Sequence, residues 1–519
     1  MSSITDSINQ VNKKDEFDVE SRHLTFPTSA AQTEPEDSHL IHGTVLQLDK
    51  VYRHLDYRII PALWFMYFMG SFGGSAYGNT FTMNFESGHS LIDSLHLTSH
   101  DTSTASALDF VGYIIFDVPM NLIMTKLSPQ IWLSRILITV GLMNTCFAAL
   151  KNAKGLMALR FLGGVCGAGT WPGMSYYISL WYPSDRSAKR IGYYFTAAQF
   201  SASAAGLVAA GFQKIDMVHG YEGWRWMYIV YGVFTMSVGI SLVWWLPDRP
   251  AHLIDMNNYK STLDRILPAK YTKWLKSPQP LNEEEREWHA ADMHGRYKDL
   301  TWKWMDIANI LTDVRTWPLI MMYFGVVGTG FGLAVFGTTL IEANNPNLSG
   351  IDVSLLYAPI WMFDAAAILL ITPLADKYKK WRPVFFISST IIIIVGLLVT
   401  TYAHGHWNRY AGLLIAGFGL GPTVPIIMTT TNEIMFKRYG DIGCACASAL
   451  VSGLGNLGSV VGTYALYSGW PADADRLYQY SNMMLVLMLG FSIVSCIVLV
   501  LIRWGLGDFK EGHIHNEHD

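Results

Sequence analysis

The sequence predicts an all-α membrane protein whose twelve transmembrane helices form two halves of six. Three observations support this fold class. First, 51% of the 519 residues are hydrophobic and only 15% are charged, whereas soluble proteins carry about 25% charged residues. Second, apolar stretches near the length that crosses a bilayer, about 20 residues, recur twelve times. Third, a long polar segment separates the sixth stretch from the seventh, as in membrane proteins built from two parallel repeats.

The twelve predicted spans divide evenly around the polar segment. Those of the first half lie at 59–79, 105–125, 131–150, 156–181, 189–213 and 224–246. Those of the second half lie at 316–340, 353–375, 383–403, 409–435, 441–467 and 480–504. The predicted domains are a disordered tail at 1–55, a six-helix half at 56–246, a polar connector at 247–315, a second half at 316–505 and a tail at 506–519.

The basic residues of the short loops predict how the chain sits in the membrane. The loops that follow the second, fourth, eighth and tenth spans hold eleven Lys and Arg residues when the flanking span ends are included, more than the opposite loops do. Because loops rich in Lys and Arg stay in the cytoplasm, we expect both termini and the connector to be cytoplasmic. The expected location is the plasma membrane.

Composition and motifs argue against several other classes of function. The net charge is −4 without a basic stripe, which argues against nucleic-acid binding. No nucleophile with a base, and no cofactor motif with its structural context, is visible. His404 and His406 lie in a predicted loop, and a metal site there would need further ligands. We therefore expect a monomer that is not an enzyme, holds no cofactor or metal, and has the bilayer and a small solute as its partners.

The glycine-rich stretches are interpreted as packing or gating elements. Gly453, Gly455 and Gly458 have the spacing of a dinucleotide fingerprint, but they lie inside the eleventh span with no preceding strand. Small residues within spans let helices approach closely. In the tenth span, Pro422 and Pro425 follow three closely spaced glycines and are predicted to interrupt the helix, as in transporters that bind substrate near the membrane midplane.

Charged residues within spans are candidates for function because a charge that faces lipid costs several kcal/mol. The candidates are Asp117, Arg160, Asp364 and Glu433. Each has a structural alternative: Arg160 could extend to the membrane interface, and Glu433 could pair with Lys437 four residues later.

A charge cluster is also predicted in the loop between the eighth and ninth spans. Asp376 and Arg382 lie there and are expected to form a cytoplasmic clamp that biases which side of the protein is open.

Several motifs together resemble one family. They are Gly112–Asn121 in the second span, Arg160–Gly164 with Ala168–Gly173 and Tyr176–Pro183 in the fourth, Gly223–Trp226 and Leu246–Pro250 around the sixth, and Gly455–Gly458 in the eleventh. These resemble the anion:cation symporter branch of the major facilitator superfamily, and within it the fungal allantoate permease-like transporters. The resemblance covers residues 56–505. It implies the major facilitator fold and uptake of small organic anions or vitamins such as allantoate, nicotinate, pantothenate or biotin.

The chain departs from that family where charge matters most. The family's first helix carries an Asp-Arg pair, at places that fall on Gly73 and Gly74 here, and its fourth helix carries a Glu at the place of Gly167. The arginine of the fourth helix is kept as Arg160. The resemblance assigns proton coupling to the acidic residues and carboxylate binding to the arginines, and a glycine can do neither. The three glycines also predict a larger, less charged cavity.

The combined prediction is a secondary transporter that imports a small organic anion, with protons, by alternating access. The expected substrate-binding residues are Arg160, Asn79, Tyr176, Tyr177, Gln199 and Asn432. Asp117 is the first candidate for proton coupling, with Asp364 and Glu433 behind it. Two alternatives stay open. The missing charges favour an uncoupled facilitator or a carrier of a neutral or zwitterionic solute, and the long N-terminal tail allows a nutrient sensor that does not transport.

Overall fold

The computed structural model describes residues 35–250, 280–293, 304–345, 347–467 and 470–506. Within these ranges the side chains of 35–46, 440–445 and several single positions lie outside the description. Residues 51–519 form one compact unit and residues 1–50 another.

The described residues fold into helices joined by short loops, and none of them forms a strand. The helices of the first half are α1 (Pro35–Asn79), α2 (Leu91–Leu95), α3 (Ser99–Lys126), α4 (Pro129–Phe147), α5 (Ala153–Gly167), α6 (Thr170–Trp181), α7 (Ser184–Gln213) and α8 (Gly223–Trp245). Two follow in the connector, α9 (Glu283–Met293) and α10 (Trp304–Thr312). The second half holds α11 (Thr316–Asn344), α12 (Gly350–Lys377), α13 (Arg382–Tyr402), α14 (His406–Leu420), α15 (Thr423–Gly455), α16 (Leu457–Val460) and α17 (Gln479–Gly505).

Nine helical segments of the described residues are long and apolar enough to cross a membrane. They include the predicted first, fifth and sixth spans and all six spans of the second half. The second and third predicted spans form α3 and α4. The fourth is divided between α5, of 15 residues, and α6, of 12. Each of these two pieces is shorter than a bilayer-spanning helix, which needs about 20 residues.

The N-terminal tail is more helical than predicted, and the connector also contains helices. Helix α1 begins at Pro35, so the prediction of disorder is wrong for residues 35–55. Once a helix has formed, each further residue adds one hydrogen bond at little cost, which favours extension beyond the membrane span. Residues 1–34 lie outside the described residues. The described part of the connector contains α9 and α10.

Two spans are interrupted at specific residues. Between α5 and α6, Gly169 has a φ of +82°, a conformation that L-residues with a side chain rarely adopt. Between α14 and α15, the predicted interruption at Pro422 is confirmed, because α14 ends at Leu420 and α15 begins at Thr423. Helix α15 contains the end of the tenth span, up to Met435, and the beginning of the eleventh span, from Cys446 onward.

The predicted packing role of the glycines in the eleventh span is confirmed at two positions. A Cβ at Gly455 would lie 2.4 Å from the ring of Tyr323, and one at Gly458 would lie 1.9 Å from the carbonyl oxygen of Phe324. Both neighbours belong to α11. At these two positions α15 and α16 therefore approach α11 more closely than a residue with a side chain would allow.

Corresponding helices of the two halves begin in the same way. The second span of the first half, α3, starts with a capping box between Thr98 and Asp101. The second span of the other half, α12, starts with a capping box between Ser349 and Asp352. In both, a hydroxyl and a carboxylate satisfy backbone N–H groups at the helix start that have no partner within the helix.

The two halves meet closely at the face predicted to be outside the cell. The hydroxyl of Thr338 in α11 donates a hydrogen bond to the carbonyl oxygen of Gly78 in α1 at 3.0 Å. A Cβ at Gly78 would lie 2.5 Å from the carbonyl oxygen of Val335. Nearby, the Gln213 amide of α7 donates to the hydroxyl of Ser354 in α12 at 3.1 Å. These contacts join the first half to the second at that face.

Candidate substrate cavity

A cavity of about 330 Å³ lies among the helices of both halves. This volume is within the range of small-molecule sites, about 300–1,000 Å³. Helices α1 and α3 to α7 supply the wall of the first half, and α11, α12, α14 and α15 supply that of the second. Most lining side chains are apolar or aromatic. The polar and charged residues of the lining include Ser71, Ser75, Asp109, Asn144, Arg160, Thr170, Gln199, Asp364 and Asn456.

Arg160 is the cationic residue of the cavity lining. Its side chain is nearly buried, and its Nη2 atom lies 3.4 Å from Oδ2 of Asp109 in α3. The Nε atom donates to the carbonyl oxygen of Ala105 at 3.4 Å. The guanidinium lies over the ring of Tyr77, 4.1 Å from its centroid. A guanidinium has five N–H donors, so these long contacts leave capacity for a substrate carboxylate.

The three glycines that replace the family's charged residues all line this cavity. A Cβ at Gly74 would have no atom within 4 Å, and one at Gly167 would meet only Val140, at 3.9 Å. A Cβ at Gly73 would lie 2.7 Å from the side-chain oxygen of Asn144. At Gly74 and Gly167 the space that a side chain would occupy therefore belongs to the cavity, whereas at Gly73 the Asn144 side chain occupies it.

Asp364 lies on the opposite half of the protein from Arg160. Its side chain is 1% exposed and lines the cavity from α12. Among the described residues, its Oδ1 atom has no hydrogen-bond partner. A Cβ at Gly421 would lie 2.6 Å from this oxygen, so the glycine provides the room for the carboxyl group.

Of the other predicted substrate-binding residues, Gln199 also lines the cavity. Asn79 is buried near the predicted outer end of α1, where its amide donates to the carbonyl oxygen of Ser75 at 3.0 Å. Tyr176 and Tyr177 are buried in α6, and the Tyr177 hydroxyl donates to the carbonyl oxygen of Pro247 at 2.6 Å. These two tyrosines and Asn79 are not part of the cavity lining.

Asn432 and Asp117 lie outside the cavity lining, and both accept hydrogen bonds from other parts of the protein. Asn432 accepts a hydrogen bond from the Ser448 hydroxyl at 2.7 Å within α15. Asp117 of α3 accepts one from the backbone N–H of Gly169, at the interruption of the fourth span, at 2.9 Å. Its other carboxylate oxygen lies 3.4 Å from the hydroxyl of Ser452 in the second half. Asp117 thus connects the broken fourth span with the eleventh.

The predicted clamp residues are in contact with each other and with Glu433. Arg382 lies 3.2 Å from Asp376 and 2.6 Å from Glu433, which connects the eighth, ninth and tenth spans within the second half. The alternative in which Glu433 pairs with Lys437 concerns a side chain that the structure does not describe.

Sequence reasoning overlooked Asp109, the carboxylate that faces Arg160. A signal for it existed, because Asp109 lies inside the predicted span 105–125 and a charge in a span is a functional candidate. In the parts of the chain that the structure describes, no group of three or more His, Cys, Asp or Glu residues is placed to hold a metal ion.

An all-helical bundle with apolar spans around a central cavity defines a membrane transporter. Residues 63–463 match the sequence profile of the Major Facilitator Superfamily, so the chain belongs to this family. Vitamin H transporter 1 of Schizosaccharomyces pombe is 42% identical over 512 residues, which cover 96% of this chain and 88% of that protein. A putative tartrate transporter of Agrobacterium vitis is 26% identical over 456 residues, covering 88% of this chain and 95% of that protein.

A solved structure shows the same fold. It is that of a bacterial homolog of the human lysosomal transporter Spinster, in an inward-facing and unoccupied conformation. The TM-score is 0.60 at 13% identity, and the match covers 86% of this chain and 96% of that chain. An identity this low supports the fold and nothing finer.

Proposed function

We propose that this protein imports a small organic anion, of the vitamin-like carboxylate class, by alternating access. The observation that carries the proposal is the position of Arg160. It places a buried guanidinium on the wall of a largely apolar cavity between the two halves. Arginine recognises carboxylates through paired N–H donors, and the apolar walls suit the body of a vitamin-like acid.

The relatives support this class of substrate. One is named for vitamin H and another for tartrate, and both names denote organic acids. The largely apolar lining favours a carboxylate with an apolar body over a small hydroxylated diacid. Membership of the anion:cation symporter branch, among allantoate permease-like transporters, is part of the proposal and rests on the sequence motifs. We further propose that the protein is a monomer in the plasma membrane. Its termini are proposed to lie in the cytoplasm, as the loop charges predict.

Asp109 is proposed as the proton-coupling residue. It faces Arg160 at 3.4 Å, and a substrate carboxylate would compete with it for the same guanidinium. Once displaced, the part-buried Asp109 carboxylate would line the cavity without its cation, which favours uptake of a proton. Tyr77 and Tyr228 are the other titratable groups that interact with it. The earlier candidates are less suited, because Asp117 holds Gly169 and Glu433 is paired with Arg382.

Uptake by cells that lack endogenous vitamin carriers tests the proposal. Labelled biotin, pantothenate, nicotinate and allantoate are supplied with and without a proton ionophore. Arg160→Ala should abolish uptake at unchanged surface expression, because the substrate carboxylate loses its partner. Asp109→Asn should remove the dependence of uptake on external pH, whereas Asp117→Asn should retain it. Continued transport by Arg160→Ala with unchanged affinity would make Arg160 a structural residue and refute the proposal.

One observation favours an uncoupled facilitator as the second candidate. Gly73, Gly74 and Gly167 line the cavity at the places where the family carries its charged residues. Exchange of labelled for unlabelled substrate in liposomes, without a pH gradient, separates the two. An uncoupled carrier would also show net uptake that the ionophore does not change.

A further inference from the structure

We propose that Asp364 forms a second substrate-binding site, which accepts a hydrogen bond from an N–H group at the end of the substrate opposite its carboxylate. The inference rests on the proposed function, in which Arg160 binds the carboxylate. It narrows the substrate to carboxylates that also carry a urea, amide or ammonium group.

The first argument is the unsatisfied state of Asp364. Its carboxyl group is 1% exposed, and in the described part of the chain Oδ1 has no hydrogen-bond partner. A buried polar group without a partner is costly, and a buried charge without one more so. Such a group is tolerated where a bound ligand supplies the missing hydrogen bond, and Asp364 lies on the wall of the cavity.

The second argument is the packing beside the carboxyl group. Gly421, at the interruption between α14 and α15, is the residue that faces Oδ1. A Cβ there would lie 2.6 Å from this oxygen and 2.3 Å from the Asp364 backbone oxygen. Glycine at this position therefore accommodates the carboxyl group without supplying a donor to it. A backbone or side-chain donor from the protein would have satisfied the oxygen without a ligand.

The third argument is the division of the two groups between the halves. Arg160 belongs to α5 of the first half and Asp364 to α12 of the second, and both line the same cavity. A cationic group and a hydrogen-bond acceptor on opposite walls match a ligand with a carboxylate at one end and a donor at the other. Biotin, pantothenate and allantoate have N–H groups of this kind, whereas nicotinate at neutral pH has none.

Binding to the purified full-length protein tests the inference with two probes of nearly the same shape, biotin and its N,N′-dimethyl derivative. The wild-type protein should bind biotin about tenfold more tightly than the dimethyl derivative, since a buried acceptor that loses its donor weakens binding by about that factor. Asp364→Leu, which has a similar shape and no acceptor, should bind the two probes equally. Asp364→Asn keeps an acceptor oxygen and should retain part of the discrimination. Arg160→Ala should lower the affinity for both probes to a similar extent.

The outcomes separate this inference from the proposed function. Equal affinity of the wild-type protein for the two probes, with both still dependent on Arg160, would overturn the role of Asp364 and leave the carboxylate site intact. Binding that does not depend on Arg160 would refute the proposed function. If neither probe binds, both the inference and the proposed function are overturned for this class of ligand. A proton-coupling role for Asp364 would change the pH profile of uptake without any preference between the probes, and that result would also refute the inference.

Discussion

The contact between α1 and α11 at Gly78 allows a direct test of how the carrier closes. A Cβ at Gly78 would lie 2.5 Å from the carbonyl oxygen of Val335, whereas ordinary contacts begin near 3.4 Å. Gly78→Ala therefore requires a separation of about 0.9 Å between the helices. That displacement is large enough to weaken or break the 3.0 Å hydrogen bond from Thr338 to Gly78.

The expected effect is a shift between conformations. Overpacking a tight interface costs about 1–3 kcal/mol, which corresponds to about a 5- to 150-fold change in an equilibrium. In the proposed alternating-access cycle this contact forms only when the predicted outer face is closed, so Gly78→Ala destabilises that conformation alone. The initial rate of uptake per molecule at the cell surface should fall by a comparable factor. Substrate binding should persist, because Gly78 does not line the cavity.

Gly211→Ala is the matched control for this experiment. Gly211 lies in α7 near the same face, and a Cβ there would have no atom within 4 Å. This variant should transport like the wild-type protein, with surface amount and monodispersity checked by fluorescence-detected chromatography. If Gly78→Ala transports at the wild-type rate, the close approach of α1 and α11 is not needed in the transport cycle and the reasoning is wrong.

Two further predictions concern the predicted cytoplasmic face. Arg382→Ala should lower the thermal unfolding midpoint, because it leaves the part-buried Glu433 without its 2.6 Å partner, at a cost of about 2 kcal/mol. Lys380→Ala, an exposed residue of the same loop, should not. His289 of α9 is buried and lies 2.9 Å from the carbonyl oxygen of Trp181, and burial lowers its pKa below 6.5. The docked helix therefore binds fewer protons than the undocked one, so its docking should weaken as the pH falls below about 6.5. Hydrogen exchange in α9 at pH 7.5 and 5.5 measures this, and the difference should disappear in His289→Gln.

Much of the fold could be predicted because the bilayer imposes strong constraints on sequence. Apolar stretches of fixed length and a polar connector define the spans. The family profile confirms the superfamily, and a solved structure shows the same fold. The same logic identified Arg160 and Asp364, which line the cavity, since a charge in a span needs a cavity or a partner. Gly73, Gly74 and Gly167 were expected to enlarge the cavity, and all three lie on its wall.

The details that were missed depend on contacts between distant parts of the chain. The interruption at Gly169 depends on a backbone conformation that only the folded structure shows, and its N–H is held by Asp117, 52 residues earlier. Glu433 is paired with Arg382, which lies 51 residues away in the sequence. Asp109 follows a Ser- and Thr-rich helix start, where the sequence pattern favours a carboxylate that caps the helix. Its contact with Arg160 is visible only in the folded structure.

The placement of the two proposed binding groups leads to a last prediction about transport as distinct from binding. A ligand favours closure only if it binds the closed state more tightly than the open one. A carboxylate that contacts Arg160 alone binds one half, whereas a ligand that also donates to Asp364 holds both halves together. At saturating concentration, nicotinate should therefore be transported more slowly than biotin, by more than its weaker binding explains. Counterflow rates measured at saturation give this ratio, and equal maximal rates would show that contact with both halves does not drive closure.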